Sequence, residues 1–178
     1  MLNSNISNIS NISNISNIRL NSNTSEKENL AHRIARYAHE GQMYGNKGYF
    51  KHHILGVVRN VELYCRDNQI PVGTKKYSLL KISAYLHDAM EDSHIGEGFI
   101  REAFGDEILE VVECLTRKDD ETYFEYIQRV KENEYARVVK IADIKFNLEE
   151  CALSGCLKAG GVVERYKKAL GILEGEQK

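Results

Sequence analysis

The chain carries its most informative run of residues at Leu86-His87-Asp88-Ala89-Met90-Glu91-Asp92-Ser93. Apolar residues dominate the segment just before this run, which predicts that the run ends a buried helix. Burying a histidine and three carboxylates there is costly unless the groups pair with one another or bind a metal. In a continuous helix, Glu91 and Asp92 follow His87 and Asp88 by four residues and share nearly the same face. The run therefore predicts metal ligands together with acid and base groups.

Chain length, net charge and proline content limit the classes of protein to which this chain can belong. The chain has 178 residues, enough for one domain with a sizeable core. Its 24 basic and 26 acidic residues give a formal net charge of −2, so we expect no nucleic-acid polymer as a partner. No apolar run approaches the roughly 20 residues that span a bilayer, so we expect no membrane partner either. A single proline fits long helices joined by short loops.

The cysteines carry no motif of their own. Cys65, Cys114, Cys151 and Cys156 include no Cys-x-x-Cys pair of the kind found in zinc sites or redox enzymes. We expect them to be reduced thiols in or near the core. Because the chain shows no secretory signal, the reducing cytoplasm is the predicted compartment.

The first 24 residues differ in composition from the rest. Five Ser-Asn-Ile triplets run from Ser4 to Ile18, and a period of three matches neither a helix nor a half-buried strand. We interpret residues 1–24 as a disordered low-complexity tail. The alternative, a stacked β-solenoid, would need more repeats and a cap. Residues 25–178 are then the folded domain.

Apolar periodicity in the domain is helical throughout. It predicts helices over residues 25–41, 50–66, 75–91, 97–104, 106–117, 121–133, 134–152 and 162–174, and no strand. Ser25 and Glu28 have the spacing of a capping box for the first helix. The predicted fold class is an all-α helical bundle.

Further site candidates lie on two other predicted helices. His52 and His53 occur early in the second, while Asp143 and Asn147 are four residues apart on a late, apolar one. Two imidazoles and two carboxylates from three helices would form a mixed nitrogen and oxygen site. Such a site suits Mn²⁺, Fe²⁺, Ni²⁺ or Zn²⁺ better than Ca²⁺.

The order of these residues, His, then His-Asp, then Asp, resembles that of the HD superfamily of metal-dependent phosphohydrolases. The resemblance extends over about residues 28–150 and is closest to the RelA/SpoT-type hydrolase domain, which includes small stand-alone alarmone hydrolases. Five stretches resemble its ordered motifs, namely Ala35–Gln42, Phe50–Val57, Leu86–Ser93, Phe104–Thr116 and Val139–Leu148. The resemblance implies the helical bundle of an HD domain.

The resemblance also implies a set of site residues. The implied metal ligands are His53, His87, Asp88 and Asp143, and Mn²⁺ is the expected metal, with Zn²⁺, Fe²⁺ or Ni²⁺ as alternatives. His53 is preferred over His52 because Val57 then follows four residues later, as in the motif, although the sequence leaves the choice open. The implied catalytic residues beside the metal are Glu91 and Asp92, and Asn147 is implied to contact the substrate.

Few basic residues near these motifs could bind a phosphate. The loop before the first ligand, residues 43–48, contains only Lys47, where the family has a more basic loop. Lys140 is a second candidate for phosphate contact, with an exposed helix face as its alternative interpretation. Ile54 and Phe50 stand where the motif has proline and tyrosine. These differences concern substrate binding rather than metal binding.

Two hypotheses for function follow. The first is a metal-dependent phosphohydrolase that cleaves a phosphoester or pyrophosphate of a nucleotide, with guanosine 3',5'-bis(diphosphate) 3'-pyrophosphohydrolase as the specific candidate. The second is a catalytically silent nucleotide-binding regulatory module of the same fold. Retention of all four implied ligands together with Glu91 and Asp92 favours the enzyme.

Overall fold

The computed structural model describes residues 23–153 and 160–175. Its helices are α1 (Thr24–Ala38), α2 (Leu55–Asp67), α3 (Lys75–Leu86), α4 (Ala89–Asp92), α5 (Glu97–Phe104), α6 (Asp106–Leu115), α7 (Tyr123–Glu132), α8 (Glu134–Leu153) and α9 (Gly160–Glu174). A two-residue hairpin, β1 (Met43–Tyr44) with β2 (Lys47–Gly48), and a π-helical turn at Phe50–Ile54 lie between α1 and α2. The predicted all-α fold is confirmed.

Helix α3 is the centre of the bundle. Nine of its residues are buried, on all sides of the helix, because α1, α2, α6 and α8 pack around it. The helix begins where the Thr74 hydroxyl accepts a hydrogen bond from the Tyr77 amide, as an N-cap does. A fully surrounded helix must carry apolar residues all round, which explains why this segment shows so little amphipathic pattern.

Helix α3 ends earlier than the sequence predicts. The predicted helix over 75–91 is wrong at its end, because α3 stops at Leu86 and the separate short helix α4 begins at Ala89. The ring Nδ1 of His87 donates to the Ala84 carbonyl at 2.8 Å, and the backbone of Asp88 lies at φ −108° and ψ 0°, outside the helical range. A side chain that bonds a local carbonyl competes with the helical ladder in this way.

Two other local predictions are also wrong. Residues 43–48 contain the short hairpin where no strand is predicted. The Ser25–Glu28 capping box is absent, since Asn23 precedes the first turn and the Glu28 carboxylate instead accepts from the Ser78 hydroxyl at 2.6 Å. A capping box does form at α7, between Thr122 and Glu125.

Helices α2 and α8 approach each other closely at Gly56. A Cβ atom placed on Gly56 would lie 2.2 Å from Cε2 of Phe146, so only glycine fits against this ring. One turn further along α2, the Asn60 side-chain amide donates to the Ala142 carbonyl at 3.2 Å. These contacts hold α8, which carries Asp143, against α2, which continues from the turn that carries His53.

Some predictions concern residues beyond the described ranges. Residues 1–22, which hold the Ser-Asn-Ile triplets, lie outside the described residues, as does Cys156. The first described helix begins at Thr24, one residue before the predicted start of the domain. Within residues 23–153 and 160–175, no helix is both long and apolar enough to cross a membrane.

Candidate metal centre

Three buried side chains converge beside the end of α3. His53 comes from the π-helical turn, His87 follows α3 directly, and Asp143 lies in the middle of α8. One ligand atom from each lies within 4.8 Å of the others. The Nε2 atoms of the two histidines are 3.3 Å apart, and His53 Nε2 is 3.4 Å from Asp143 Oδ1. This cluster can hold a metal ion.

Asp88 places a carboxylate oxygen against both histidines of this cluster. Its Oδ2 atom lies 3.0 Å from His87 Nε2 and 3.4 Å from His53 Nε2. The Tyr49 hydroxyl donates to the same oxygen at 2.6 Å. The break after α3 makes this possible, because consecutive residues of a regular helix point about 100° apart. All four predicted ligands therefore lie together, whereas His52 points to a different group of side chains.

The donor set fits a transition metal. The hydrogen bond from His87 Nδ1 to the Ala84 carbonyl fixes the tautomer and turns Nε2 towards the cluster, as backbone carbonyls do for metal-bound histidines. His53 Nδ1 is buried and has no hydrogen-bond partner among the described residues, so the polar contacts of this ring are made by Nε2. Two imidazole nitrogens and two carboxylate oxygens match the preferences of Mn²⁺, Fe²⁺, Zn²⁺ and Ni²⁺.

Charge within the cluster is balanced by protons when no cation is bound. Burial lowers the pKa of His87, but the carboxylate of Asp88 overcomes this effect and raises that pKa from 6.5 to about 9. Burial raises the pKa of Asp88, yet His87 and His53 hold it well below its usual range. A divalent cation would replace the proton between these groups, since metal ligands must be deprotonated.

Lys140 holds the carboxylate of Asp143. Its Nζ atom donates to Asp143 Oδ2 at 2.7 Å and lies 5.3 Å from the centre of the Tyr126 ring. The side chain is only 15% exposed, so the alternative of an exposed helix face does not describe it. Burial lowers the pKa of Lys140, but Asp143 and Tyr126 raise it well above its usual value. Lys140 is thus a charged partner that positions a predicted ligand.

Asn147 and Tyr44 complete the surroundings of Asp143. The Asn147 side-chain amide donates to Asp143 Oδ1 at 2.7 Å, and the Tyr44 hydroxyl donates to Asn147 Oδ1 at 2.8 Å. The Tyr44 ring lies parallel to the His53 ring with 5.4 Å between centres. Burial raises the pKa of Tyr44 to about 12, with smaller contributions from neighbouring groups, so its hydroxyl stays a donor. The β1–β2 hairpin is therefore tied to both sides of the cluster.

Lys47 and His52 both contact the carboxylate of Glu150 on α8. Lys47 Nζ lies 3.3 Å from Glu150 Oε2 and 3.1 Å from His52 Nε2. His52 Nε2 is 2.8 Å from the same Glu150 oxygen. Lys47 is half exposed, whereas Glu150 is mostly covered. The predicted phosphate-binding lysine is thus already paired with an acidic group, two helical turns beyond Asp143 on α8.

The two predicted acid and base residues lie on α4. Glu91 is exposed on this short helix. The backbone of Asp92 belongs to the same helix, and its side chain lies outside the described part of the chain. Residues 87–92 do not lie on one continuous helix, because α3 and α4 are separate. The single helix face predicted for His87, Asp88, Glu91 and Asp92 is therefore not formed. The catalytic roles of Glu91 and Asp92 stay predictions.

Two site residues could not be recognised from the sequence. Tyr44 and Tyr49 lie between two predicted helices and in no predicted element, yet Tyr49 contacts Asp88 and Tyr44 contacts Asn147. The stretch Phe50–Val57 could have pointed to Tyr49, because the motif that it resembles has a tyrosine at the position of Phe50, the residue that follows Tyr49. His39 is buried against the Tyr49 ring, with 5.0 Å between centres, and its Nδ1 lies 2.6 Å from Gln42 Oε1. It is therefore a neighbour of a residue that contacts Asp88.

Comparison with known proteins supports the fold. The sequence matches no family model and no curated protein. Among solved structures, the chain is similar to that of a metazoan ortholog of SpoT that hydrolyses ppGpp and plays a role in starvation responses. The TM-score is 0.59 with 17% identity, over 81% of this chain and 85% of that chain. The resemblance to the RelA/SpoT-type hydrolase domain, drawn from five short motifs, is confirmed at the level of the fold.

Proposed function

We propose that this chain is a metal-dependent phosphohydrolase that cleaves a phosphoester or pyrophosphate bond of a nucleotide. The observation that carries the proposal is the buried cluster of His53, His87 and Asp143, with Asp88 3.0 Å from His87 and 3.4 Å from His53. Guanosine 3',5'-bis(diphosphate) is the specific candidate substrate, because a protein of similar fold hydrolyses it. Mn²⁺ is the proposed metal, and the cytoplasm, where the thiols stay reduced, is the proposed compartment.

The residues around the cluster have separate tasks in this proposal. A divalent cation bound there supplies Lewis-acid polarisation of a phosphoryl oxygen and makes water more acidic. Tyr49 orients Asp88, and Lys140 orients Asp143, so that both carboxylates keep one oxygen directed at the cluster. Asn147 presents an amide to the phosphate, and Lys47 presents a charge to a more distant group of the nucleotide. Glu91 and Asp92 act as the acid and base that hold and move the proton of the attacking water.

A nucleotide panel tests the proposal. Protein loaded with Mn²⁺ is incubated with nucleoside mono-, di- and triphosphates, nucleoside bisphosphates and guanosine 3',5'-bis(diphosphate), and released phosphate and pyrophosphate are separated by chromatography. Asp88→Asn should lose the activity and the metal. Asp67→Asn, which changes an exposed aspartate at the end of α2, is the matched control and should keep both.

The silent regulatory module predicts a different result. It would bind a nucleotide tightly and hydrolyse nothing, with metal content confirmed by elemental analysis and with Mn²⁺, Zn²⁺, Fe²⁺ and Ni²⁺ each tried. That outcome would replace the enzyme by the binding module.

A further inference from the structure

Glu150 places a carboxylate where a phosphorylated ligand would meet Lys47. Asp143, Asn147 and Glu150 are spaced by four and three residues, so they lie along one face of α8. Seven residues of helix separate Asp143 from Glu150, a distance of about 10 Å along the axis. The metal cluster is at one end of this face, and the ion pair with Lys47 is at the other. A nucleotide that has one phosphate at the cluster and its remaining groups along this face would reach Glu150.

The hairpin is fixed at both of these points. Tyr44 bonds Asn147 at 2.8 Å in the middle of the face, and Lys47 meets Glu150 at 3.3 Å near its end. In residues 42–49, Lys47 is the only basic side chain. Any anionic group that uses this lysine must therefore share it with Glu150 or displace the carboxylate from it.

We propose that Glu150 is a specificity-determining residue that favours nucleotides with few negative charges beyond the phosphate at the cluster. This inference rests on the proposed function, because it assumes that a nucleotide phosphate is bound at the metal cluster. Within that function it favours substrates with fewer phosphates than guanosine 3',5'-bis(diphosphate). The Lys47–Glu150 pair is neutral as a unit, so it offers little net attraction to a second phosphate. Removing the carboxylate charge would leave the charge of Lys47 uncompensated, and that charge attracts anions.

A simple structural latch is the competing explanation. In that case Glu150 only holds the hairpin in place, and its loss loosens Lys47 and weakens the binding of every phosphorylated ligand alike. The two explanations differ in charge selectivity. A specificity role changes the ratio between ligands of different charge, whereas a latch changes all affinities in the same direction.

Glu150→Gln tests the inference, with Glu149→Gln as the matched control. Glu149 is the adjacent carboxylate, is 60% exposed and lies 4.0 Å from Arg59, so the control removes the same charge from the outer side of the helix. The probes are guanosine 5'-monophosphate and guanosine 3',5'-bisphosphate, which differ by one separate phosphate. Their Kd values are measured by calorimetry at saturating Mn²⁺, after circular dichroism confirms the folding of each variant.

The expected result is a change in the ratio of the two Kd values. Glu150→Gln should raise the preference for the bisphosphate about tenfold, and Glu149→Gln should change it less than about twofold, because exposed charges are strongly screened. Lys47→Met should abolish the effect of Glu150→Gln, so the double variant should keep the ratio of Lys47→Met alone. An equal ratio in the two glutamine variants, or a weaker binding of both nucleotides after Glu150→Gln, would overturn the inference.

Hydrolysis assays on the same proteins separate the two proposals. A wild type that hydrolyses nucleotides but shows no change of ratio in Glu150→Gln retains the proposed function and loses the inference. A wild type that hydrolyses nothing but shows the tenfold change in Glu150→Gln loses the proposed function and retains the inference. If neither probe binds to the metal-loaded wild type, the inference is overturned.

Discussion

Replacing Gly56 by alanine should destabilise the fold and disturb the metal centre together. The new Cβ atom would lie 2.2 Å, 2.5 Å and 3.1 Å from Cε2, Cδ2 and Cζ of Phe146. A normal carbon–carbon contact needs about 3.5 Å, so the ring must shift by about 1 Å or more. The ring is buried, with its edge against His53 at 5.1 Å between centres. Its movement is therefore transmitted to a proposed ligand.

The size of the effect follows from two opposing terms. Overpacking of a core typically costs about 1–3 kcal/mol, and a contact as short as this one belongs at the upper end of that range. Alanine is preferred over glycine within a helix by about 1 kcal/mol. We therefore expect a net loss of about 2 kcal/mol in the free energy of unfolding. For a domain of this size the melting temperature should fall by roughly 4–8 °C.

The control is another helical glycine. Gly98 lies within α5, and a Cβ atom added there meets nothing within 4 Å, so Gly98→Ala should be neutral or stabilising by up to about 1 kcal/mol. Calorimetric melting of both variants, with and without Mn²⁺, measures the difference. A Gly56→Ala protein that melts as high as Gly98→Ala and binds the metal as tightly as the wild type would refute this account of the α2–α8 contact. Combining Gly56→Ala with Phe146→Leu should recover part of the lost stability.

Four further predictions concern the site and the tail. Tyr49→Phe removes the hydrogen bond to Asp88 and should weaken Mn²⁺ binding about 10-fold or more, measured by competition with a chelating dye. Burial lowers the pKa of His87, but Asp88 raises it to about 9, so the imidazole is positively charged at neutral pH and must lose a proton to bind metal. Mn²⁺ affinity should therefore rise between pH 6 and pH 9 and level off above that range. Metal titrations at several pH values measure this dependence. Glu91→Gln should keep the metal and lower kcat by roughly 10²–10⁴-fold if Glu91 is an acid or base, whereas an unchanged kcat would remove it from that role. Deleting residues 1–24 should leave kcat within error. The melting temperature should fall only by the small amount expected from losing one exposed helix end, and a larger fall would show that the tail packs on the domain.

Residue spacing predicted the parts of the site that depend on short stretches of chain. His87 and Asp88 are adjacent, and Asp143 and Asn147 are one helical turn apart, so their grouping could be read from the sequence. The contacts that orient them could not. Tyr49 reaches Asp88 across 39 residues, and Tyr44 reaches Asn147 across 103, and no local pattern carries that information.

The local errors share a physical cause. The predicted helix through residue 91 follows from apolar periodicity, but the hydrogen bond from His87 to the Ala84 carbonyl ends the helix. The predicted cap at Ser25 follows from spacing, but Glu28 is held by Ser78 and lies 3.5 Å from Lys81 on α3. In each case a side-chain hydrogen bond that the spacing does not reveal decided the outcome, to a local carbonyl for His87 and to a hydroxyl on α3 for Glu28.

The break after α3 links the fold to the chemistry of the site. An unbroken helix would direct His87 and Asp88 about 100° apart, and only one of them could reach His53. With the break, Asp88 Oδ2 comes within 3.4 Å of both imidazoles, and the cluster gains a second carboxylate. Two buried carboxylates are expensive to keep ionised without cations, so Lys140 and the proton of His87 stabilise them before any metal arrives. We therefore expect metal binding at this site to exchange a proton for a metal ion, with an affinity that depends on Tyr49 and Lys140 as well as on the four predicted ligands.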